Sequence, residues 1–231
     1  MTEIKRGKRN MVKIAIDGPA GAGKSTIARA VAQQLGYVYI DTGAMYRALA
    51  WKAIGLGIRI SEEPAQVCAF LPDTKLELAY RDGEQYIFID GQDVSQAIRT
   101  PEVSAGSSEI AVIPEVRAWL LDFQRDLASE HNCIMDGRDI GTKVLPDADL
   151  KIFLTATPED RARRRYDELK LRGADISYRQ VLLDMVARDK NDSERAASPL
   201  RQAEDAVRVD TTGNTLEQSI AQIRRLIENL K

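Results

Sequence analysis

Short runs of near-continuous apolar residues alternate along this chain with longer stretches whose apolar positions recur every three or four residues. Val12–Asp17 (VKIAID), Val38–Ile40 (VYI), Asn132–Met135 (NCIM), Leu150–Leu154 (LKIFL) and Ala206–Val209 (AVRV) are of the first kind. Runs that do not alternate with polar residues predict strands covered on both faces. Each is followed by polar residues: Asp41-Thr42-Gly43, Asp136-Gly137-Arg138-Asp139, Thr155-Ala156-Thr157 and Asp210-Thr211-Thr212, with a glycine turn after the first run. Strands separated by helical stretches predict an α/β fold with a parallel sheet, whose functional site lies at the carboxyl ends of the strands.

Helix starts are marked by their residues. Thr157-Pro158-Glu159 offers a capping hydroxyl, a proline in the first turn and an acidic residue beside the helix dipole. Ser177-x-x-Gln180 and Thr215-x-x-Gln218 have capping-box spacing. The last predicts a C-terminal helix with Leu216, Ile220, Ile223, Leu226 and Ile227 on its core face. One region breaks the alternation: Lys75–Tyr80, an Asp82-Gly83 turn and Gln85–Ile89 predict a hairpin, and Asp90-Gly91 predicts a further short strand near Gln92–Val94. This small antiparallel sheet marks an insertion from about Pro64 to Ile113, of the kind that carries a specificity pocket.

The turn after the first strand carries the chemistry. Gly18-x-x-x-x-Gly23-Lys24-Ser25 matches the eight-residue phosphate-loop pattern in full, between a predicted strand and a predicted helix. Glycines let backbone N–H groups converge on phosphate without Cβ clashes, and the helix N-terminus adds its positive end. Lys24 supplies a point charge to the β- and γ-phosphates, and the Ser25 hydroxyl is a Mg²⁺ ligand. A bound nucleoside triphosphate follows, held along Gly18, Pro19, Ala20, Gly21, Ala22, Gly23, Lys24, Ser25 and Thr26.

Composition narrows the class. At 231 residues and 44% hydrophobic content the chain is long enough for one large domain or a core with a modest insertion. A net charge of −2 provides no overall field for nucleic acid. Cys68, Cys133 and the single His131 are too few for most Cys/His metal frameworks, and His131 reads as a loop residue. No apolar run approaches the roughly 20 residues of a membrane span, and the basic opening MTEIKRGKRN leads into no signal-peptide core. A soluble, reducing, cytoplasmic setting is expected, with residues 1–11 as a flexible tail.

A GTPase needs an Asn-Lys-x-Asp segment, and the nearest stretch, Asp189-Lys190-Asn191-Asp192, has the letters in the wrong order. Motor-type ATPases usually pair the loop with a longer domain and two acids closing the metal-binding strand; here Asp136 alone closes it. A small kinase with an acceptor pocket remains. Arginines suit it, because a triphosphate donor and a phosphorylated acceptor must be neutralised while held in line. Arg47, Arg117, Arg138, Arg188 and Arg195 all fall after predicted strands or on elements above them. Glu159–Arg172 (EDRARRRYDELKLR) has two readings: Arg161, Arg163, Arg164 and Arg165 close over the donor as a lid, or the run is a solvated helix with pairs such as Asp160–Arg164. Two rivals stay open: a kinase for another small acceptor, such as a different monophosphate or shikimate, and a non-catalytic nucleotide sensor.

Three further segments carry a resemblance. Asp41-Thr42-Gly43-Ala44-Met45-Tyr46-Arg47, Asp136-Gly137-Arg138-Asp139-Ile140-Gly141-Thr142 and Arg188-Asp189-x-x-Asp192-x-x-Arg195, taken with DGPAGAGKST, resemble the signature segments of the bacterial cytidylate kinases, in order, from about Val12 to the C-terminus. The resemblance implies a P-loop three-layer fold with a central five-stranded parallel sheet. The kinase core would be residues 12–63 and 114–231, with a helical lid at about 158–196 and a monophosphate-binding insertion at 64–113. It implies phosphoryl transfer from ATP to CMP or dCMP with Mg²⁺; a monomer without nucleic-acid or membrane partners is the expectation from the chain's own composition. The implied CMP site is Thr42, Arg47, Ser108, Arg117, Arg138, Asp139, Arg188, Asp192 and Arg195, with Lys24, Arg138 and Arg195 acting on the transferred group. In that site Asp139, Arg117 and Ser108 read cytosine, Arg47, Arg138 and Arg195 clamp phosphate, and Arg188 and Asp192 hold the ribose. Thr42 stands where the family often has serine, which keeps the hydroxyl.

Overall fold

A computed structural model describes residues 11–81 and 83–230; the expected tail up to residue 10 and Asp82 of the hairpin turn lie outside the described residues. Among the described residues the strands form two sheets. The larger is parallel throughout, built from β1 (Lys13–Asp17), β2 (Val38–Asp41), β6 (Cys133–Gly137), β7 (Leu150–Thr155) and β8 (Val207–Asp210), in the order β2-β6-β1-β7-β8. The smaller is antiparallel, built from β3 (Leu76–Arg81), β4 (Glu84–Ile89) and β5 (Gln92–Asp93). The expected α/β architecture with five parallel strands is thus observed.

The lack of alternation in the apolar runs has the anticipated cause, because both faces of the large sheet are covered. On one face Ile14, Ile16, Tyr39, Ile134, Ile152, Leu154 and Val209 pack against α1 (Lys24–Leu35) and α8 (Leu216–Glu228). On the other, Ala15, Ile40, Cys133 and Met135 meet α2 (Thr42–Gly55) and α5 (Pro114–Glu130). That second core continues through Ile87, Ile89, Val94 and Ile98 to α4 (Pro101–Ile110), so the antiparallel sheet and the helices around it, including α3 (Pro64–Phe70), share one apolar interior with the large sheet. The Gln85 side chain adds a polar link, accepting from the Asp41 amide at 2.9 Å at the edge of β2.

Asp90 and Gly91 both have positive φ, 52° and 81°, as the tight turn between β4 and β5 requires. The Thr157 cap forms as expected, accepting from the Asp160 amide, and Thr215 and Gln218 form a complete capping box. Ser177 makes only half of one: it accepts from the Gln180 amide, while the Gln180 side chain donates to Asp184, one turn further on, at 2.7 Å. The predicted strand at Asn132–Met135 begins at Cys133, because Asn132 uses its side-chain oxygen to accept from the Val12 amide.

Two helices, α6 (Pro158–Leu171) and α7 (Tyr178–Glu194), share a small apolar cluster of their own around Ala162, Val181 and Met185. No helix among the described residues is long and apolar enough to cross a membrane. His131 is the exposed residue at the C-terminal end of α5.

Candidate active site

The site forms where β1, β2 and β6 end side by side. β1 delivers Asp17 and then Gly18, whose backbone passes so close to β7 that an added Cβ would lie 1.9 Å from the Leu154 carbonyl oxygen. The loop closes onto α1 at Gly23, which has a φ of 87° and no side chain to cap the helix, so the first-turn amides and the positive end of the dipole are left for an anion. Lys24 is buried and donates to the Pro19 carbonyl at 2.8 Å. Burial and the nearby Arg138 push its ammonium down to about 7. A cation held under a phosphate-sized loop at that cost favours an incoming anionic ligand.

Beside the loop stands a residue that sequence reasoning left out of the site. Asp136, at the end of β6, accepts from Ser25 Oγ and from the Tyr39 hydroxyl, each at 2.9 Å. Burial, with Asp41 nearby, raises its carboxyl to about 6. The one available signal was that a continuous apolar strand ends on this acid. Gly137 follows, and an added Cβ there would lie 2.8 Å from Thr42 Oγ1. The space lets Thr42 donate to the Asp136 carbonyl at 2.8 Å, so its hydroxyl is occupied at the sheet edge.

The arginines gather at this edge of the sheet, each held by an acid, a carbonyl or a hydroxyl. Arg47 on α2 pairs with Asp41 at 2.8 Å. Arg138 pairs with Asp192 of α7 through Nε at 2.8 Å. Burial opposes the Asp192 charge, but Arg138, Arg188 and Arg195 together hold its carboxyl below the usual carboxylate range. Arg188 donates to Ser104 Oγ at 3.1 Å and has a buried Nε without a partner among the described residues. Burial and Arg138 push its guanidinium down to about 10. Asp139 forms a close ion pair with Arg117, whose guanidinium lies over the Tyr46 ring at 5.7 Å.

Two expected residues are placed differently. Arg195, grouped with the phosphate clamps on sequence, sits with Asp139 and Arg117: its Nη2 lies 3.8 Å from Asp139 Oδ1, and Nε donates to the Ser198 carbonyl. Its Nη2 makes no hydrogen bond among the described residues, leaving a buried donor ready for a ligand. Ser108 makes no side-chain hydrogen bond among the described residues; Ser104, one turn earlier on α4, is the serine that meets Arg188. Tyr46, Arg117, Gln124 and Asp139 are among the residues lining a cavity of about 220 Å³.

The basic run on α6 resolves into separate roles. Arg161 is buried and donates to the carbonyls of Ala156 and of Ala20 in the phosphate loop, while pairing with Asp189 of α7 at 2.6 Å. Arg164 reaches the Thr211 carbonyl and pairs with Asp160, as the spacing suggested. Arg165 pairs with Glu168, and Arg163 lies over the Tyr178 ring at 4.6 Å. Residues 14–229 match the family model for cytidylate kinase.

The chain belongs to the cytidylate kinase family. The cytidylate kinase of Desulfitobacterium hafniense (strain Y51) is 52% identical over 222 residues, covering 96% of this chain and 94% of that one. That of an Exiguobacterium species is 48% identical over 223 residues, covering 96% and 99%. Among solved structures, an uncharacterized protein from Eubacterium ventriosum matches with a TM-score of 0.53 at 13% identity, covering 95% of this chain and 99% of that one, a likeness of fold alone. Membership in the cytidylate kinase family makes the protein a phosphotransferase and sets aside the nucleotide-sensor and shikimate readings.

Proposed function

We propose that this cytidylate kinase transfers the γ-phosphoryl group of ATP to CMP or dCMP, giving ADP and CDP or dCDP, with Lys24 and Arg138 acting on the transferred group. One observation carries the assignment of the acceptor pocket: Asp139 is buried between Arg117 and Arg195, two residues beyond the strand that neighbours the phosphate loop. Cytosine offers an N4 donor beside the N3 and O2 acceptors. The Asp139 carboxylate accepts from N4, and Arg117 donates to the other edge. Uracil, with an acceptor at position 4, would face that carboxylate with no hydrogen to give, which costs about 1–3 kcal/mol.

Arg47, Arg138 and Arg188 surround the acceptor phosphate in this reading, exchanging their present partners for its oxygens, and Asp192 turns to the ribose. Thr42 and Ser108 belong to the pocket wall. The acceptor oxygen is an anion near neutral pH, so no protein base is required; catalysis is alignment and charge neutralisation by side chains set in place beforehand. Residues 64–113 serve as the acceptor-binding insertion, and α6 and α7 as the lid, with Arg161 linking the lid to the phosphate loop.

Mg²⁺ fits the residues present. Ser25 offers a hydroxyl and Asp136 a buried carboxylate within 2.9 Å of each other, a hard-oxygen pair of the kind that holds this ion together with substrate phosphates. When bound, the ion neutralises phosphate charge, and the raised Asp136 carboxyl would then be held ionised. The enzyme is expected to work as a cytoplasmic monomer.

The test is ADP release from Mg·ATP with CMP, dCMP, UMP, AMP, GMP and dTMP in turn. Turnover concentrated on CMP and dCMP is expected. A preference for another acceptor would remove Asp139 and Arg117 from the base pocket while leaving the phosphate loop its role.

A further inference from the structure

One buried carboxylate has no part in the chemistry above. Asp17, the last residue of β1, is 5% exposed and has no basic side chain hydrogen-bonded to it among the described residues. Its two oxygens accept from two consecutive amides across the site: Oδ1 from Ile140 and Oδ2 from Gly141, each at 2.8 Å. Those amides open a single π-helical turn, Ile140–Val144, that follows Asp139 directly. Turns of this kind are uncommon and concentrate at functional sites.

The other end of the same turn is held by an opposite charge. Arg125, on α5, donates through Nε to the Val144 carbonyl and through Nη2 to the Lys143 carbonyl, both at 3.0 Å. An anion therefore caps the amide end of the turn and a cation its carbonyl end, as the exposed backbone groups at helix ends demand. The fit at the first end is tight: a Cβ on Gly141 would lie 3.1 Å from the Lys151 side chain and 3.4 Å from Asp17 Oδ2. Arg125 also shares a helix with Arg117, the partner of Asp139.

Stability alone does not account for a carboxylate at this position. Asp17 lies near Asp139, a like charge, and burial raises its carboxyl to about 6 despite the two amides and nearby Lys24. What the residue does uniquely is connect two places. On its carboxyl side the chain enters the phosphate loop at Gly18; through its side chain it fixes the segment that begins at Arg138 and Asp139.

We propose that Asp17 is a positioning residue that holds the acceptor-reading Arg138–Asp139 segment in register with the phosphate loop, and that Arg125 holds the far end of the same turn. The inference rests on the reading of Asp139 as the base-recognition acid. Donor and acceptor sites are thereby aligned through one rigid connection, the placement an in-line transfer depends on.

Asp17→Asn keeps the shape and one acceptor oxygen but places an amide nitrogen against a backbone N–H. It is expected to raise the KM for CMP about tenfold and to lower the CMP-over-UMP ratio of kcat/KM by about fivefold, while the KM for ATP stays within about twofold. Arg125→Gln, at an exposed position that does not threaten folding, is expected to move the same two quantities in the same direction by about threefold. The double variant should fall short of the product of the two effects, since both act on one turn. A lowered melting temperature with an unchanged KM for CMP and an unchanged ratio in Arg125→Gln would overturn the proposal, and so would an Asp17→Asn effect that falls equally on ATP. Wild-type enzyme in the same assay keeps the underlying reading separate: no preference for CMP there would fail the reading of Asp139 itself.

Discussion

Replacing Asp136 by asparagine should make the free protein more stable and the enzyme nearly inactive. The carboxyl is raised from its ordinary value of 3.8 to about 6, chiefly by burial and then by Asp41. A raised carboxyl pKa means the folded chain holds more protons than the unfolded chain between about pH 4 and 6. Stability therefore falls as pH rises through that window, and the full penalty is present above it. Two pH units at 1.36 kcal/mol each set the penalty at about 3 kcal/mol. Asparagine keeps the hydrogen bonds, because its oxygen accepts from the Tyr39 hydroxyl and its amide donates to the Ser25 hydroxyl, which can rotate.

Of that penalty, about 1–3 kcal/mol should be regained at pH 8, a rise of roughly 2–12 °C in melting temperature for a chain of this length. The gain should shrink to nothing near pH 4, where the native carboxyl is already protonated. Turnover with Mg·ATP should fall at least about a hundredfold, because a neutral amide oxygen is a weaker ligand for Mg²⁺ than the carboxylate it replaces. Thermal unfolding of both proteins without nucleotide or Mg²⁺, from pH 4 to 8, together with steady-state kinetics, decides the matter. A variant no more stable than wild type at pH 8, or one retaining turnover within about threefold, refutes the reasoning.

Three further expectations concern the same edge of the sheet. Lys24→Ala should abolish measurable turnover, a loss of at least about a thousandfold in kcat, since a buried ammonium beside the phosphate loop is not replaced by solvent; activity near wild type in the coupled ADP assay would remove the loop from catalysis. Asp139→Ala should lower the CMP-over-UMP preference at least about tenfold in competition kinetics, whereas an unchanged ratio would take Asp139 out of the base pocket. Gly18→Ala should weaken ATP binding and destabilise the fold by several kcal/mol, on the order of a severe core overpacking, because its Cβ would meet the Leu154 carbonyl at 1.9 Å; calorimetric melting at the wild-type temperature would contradict that contact.

The elements that could be read from the sequence are those whose cause is local. Five apolar runs gave five parallel strands with ends shifted by one residue or so, because burial on both faces is written in consecutive side chains. The phosphate loop was legible because its glycines answer to backbone geometry within eight residues. Thr157 and Thr215 capped their helices as expected, and Ser177 fell short only where Gln180 found Asp184 instead of its own helix start.

Candidate site residues could be named from the sequence, Asp136 excepted, but their partnerships could not. Ser25 meets Asp136 across 111 positions of chain, and Asp17 meets Ile140 across 123, so no window of sequence contains either pair. The order β2-β6-β1-β7-β8 brings them together by placing β1 between two strands that follow it far downstream. Helix packing around that sheet decides that Arg195 stands by Asp139, that Ser104 and not Ser108 meets Arg188, and that Arg161 grips the phosphate loop while Arg163 lies on a tyrosine. Which charges a chain carries, and where its strands and loops lie, follow from short-range sterics and burial. Which acid answers which arginine depends on distances that exist only after the sheet has assembled, since an ion pair has no spacing rule along an unfolded chain.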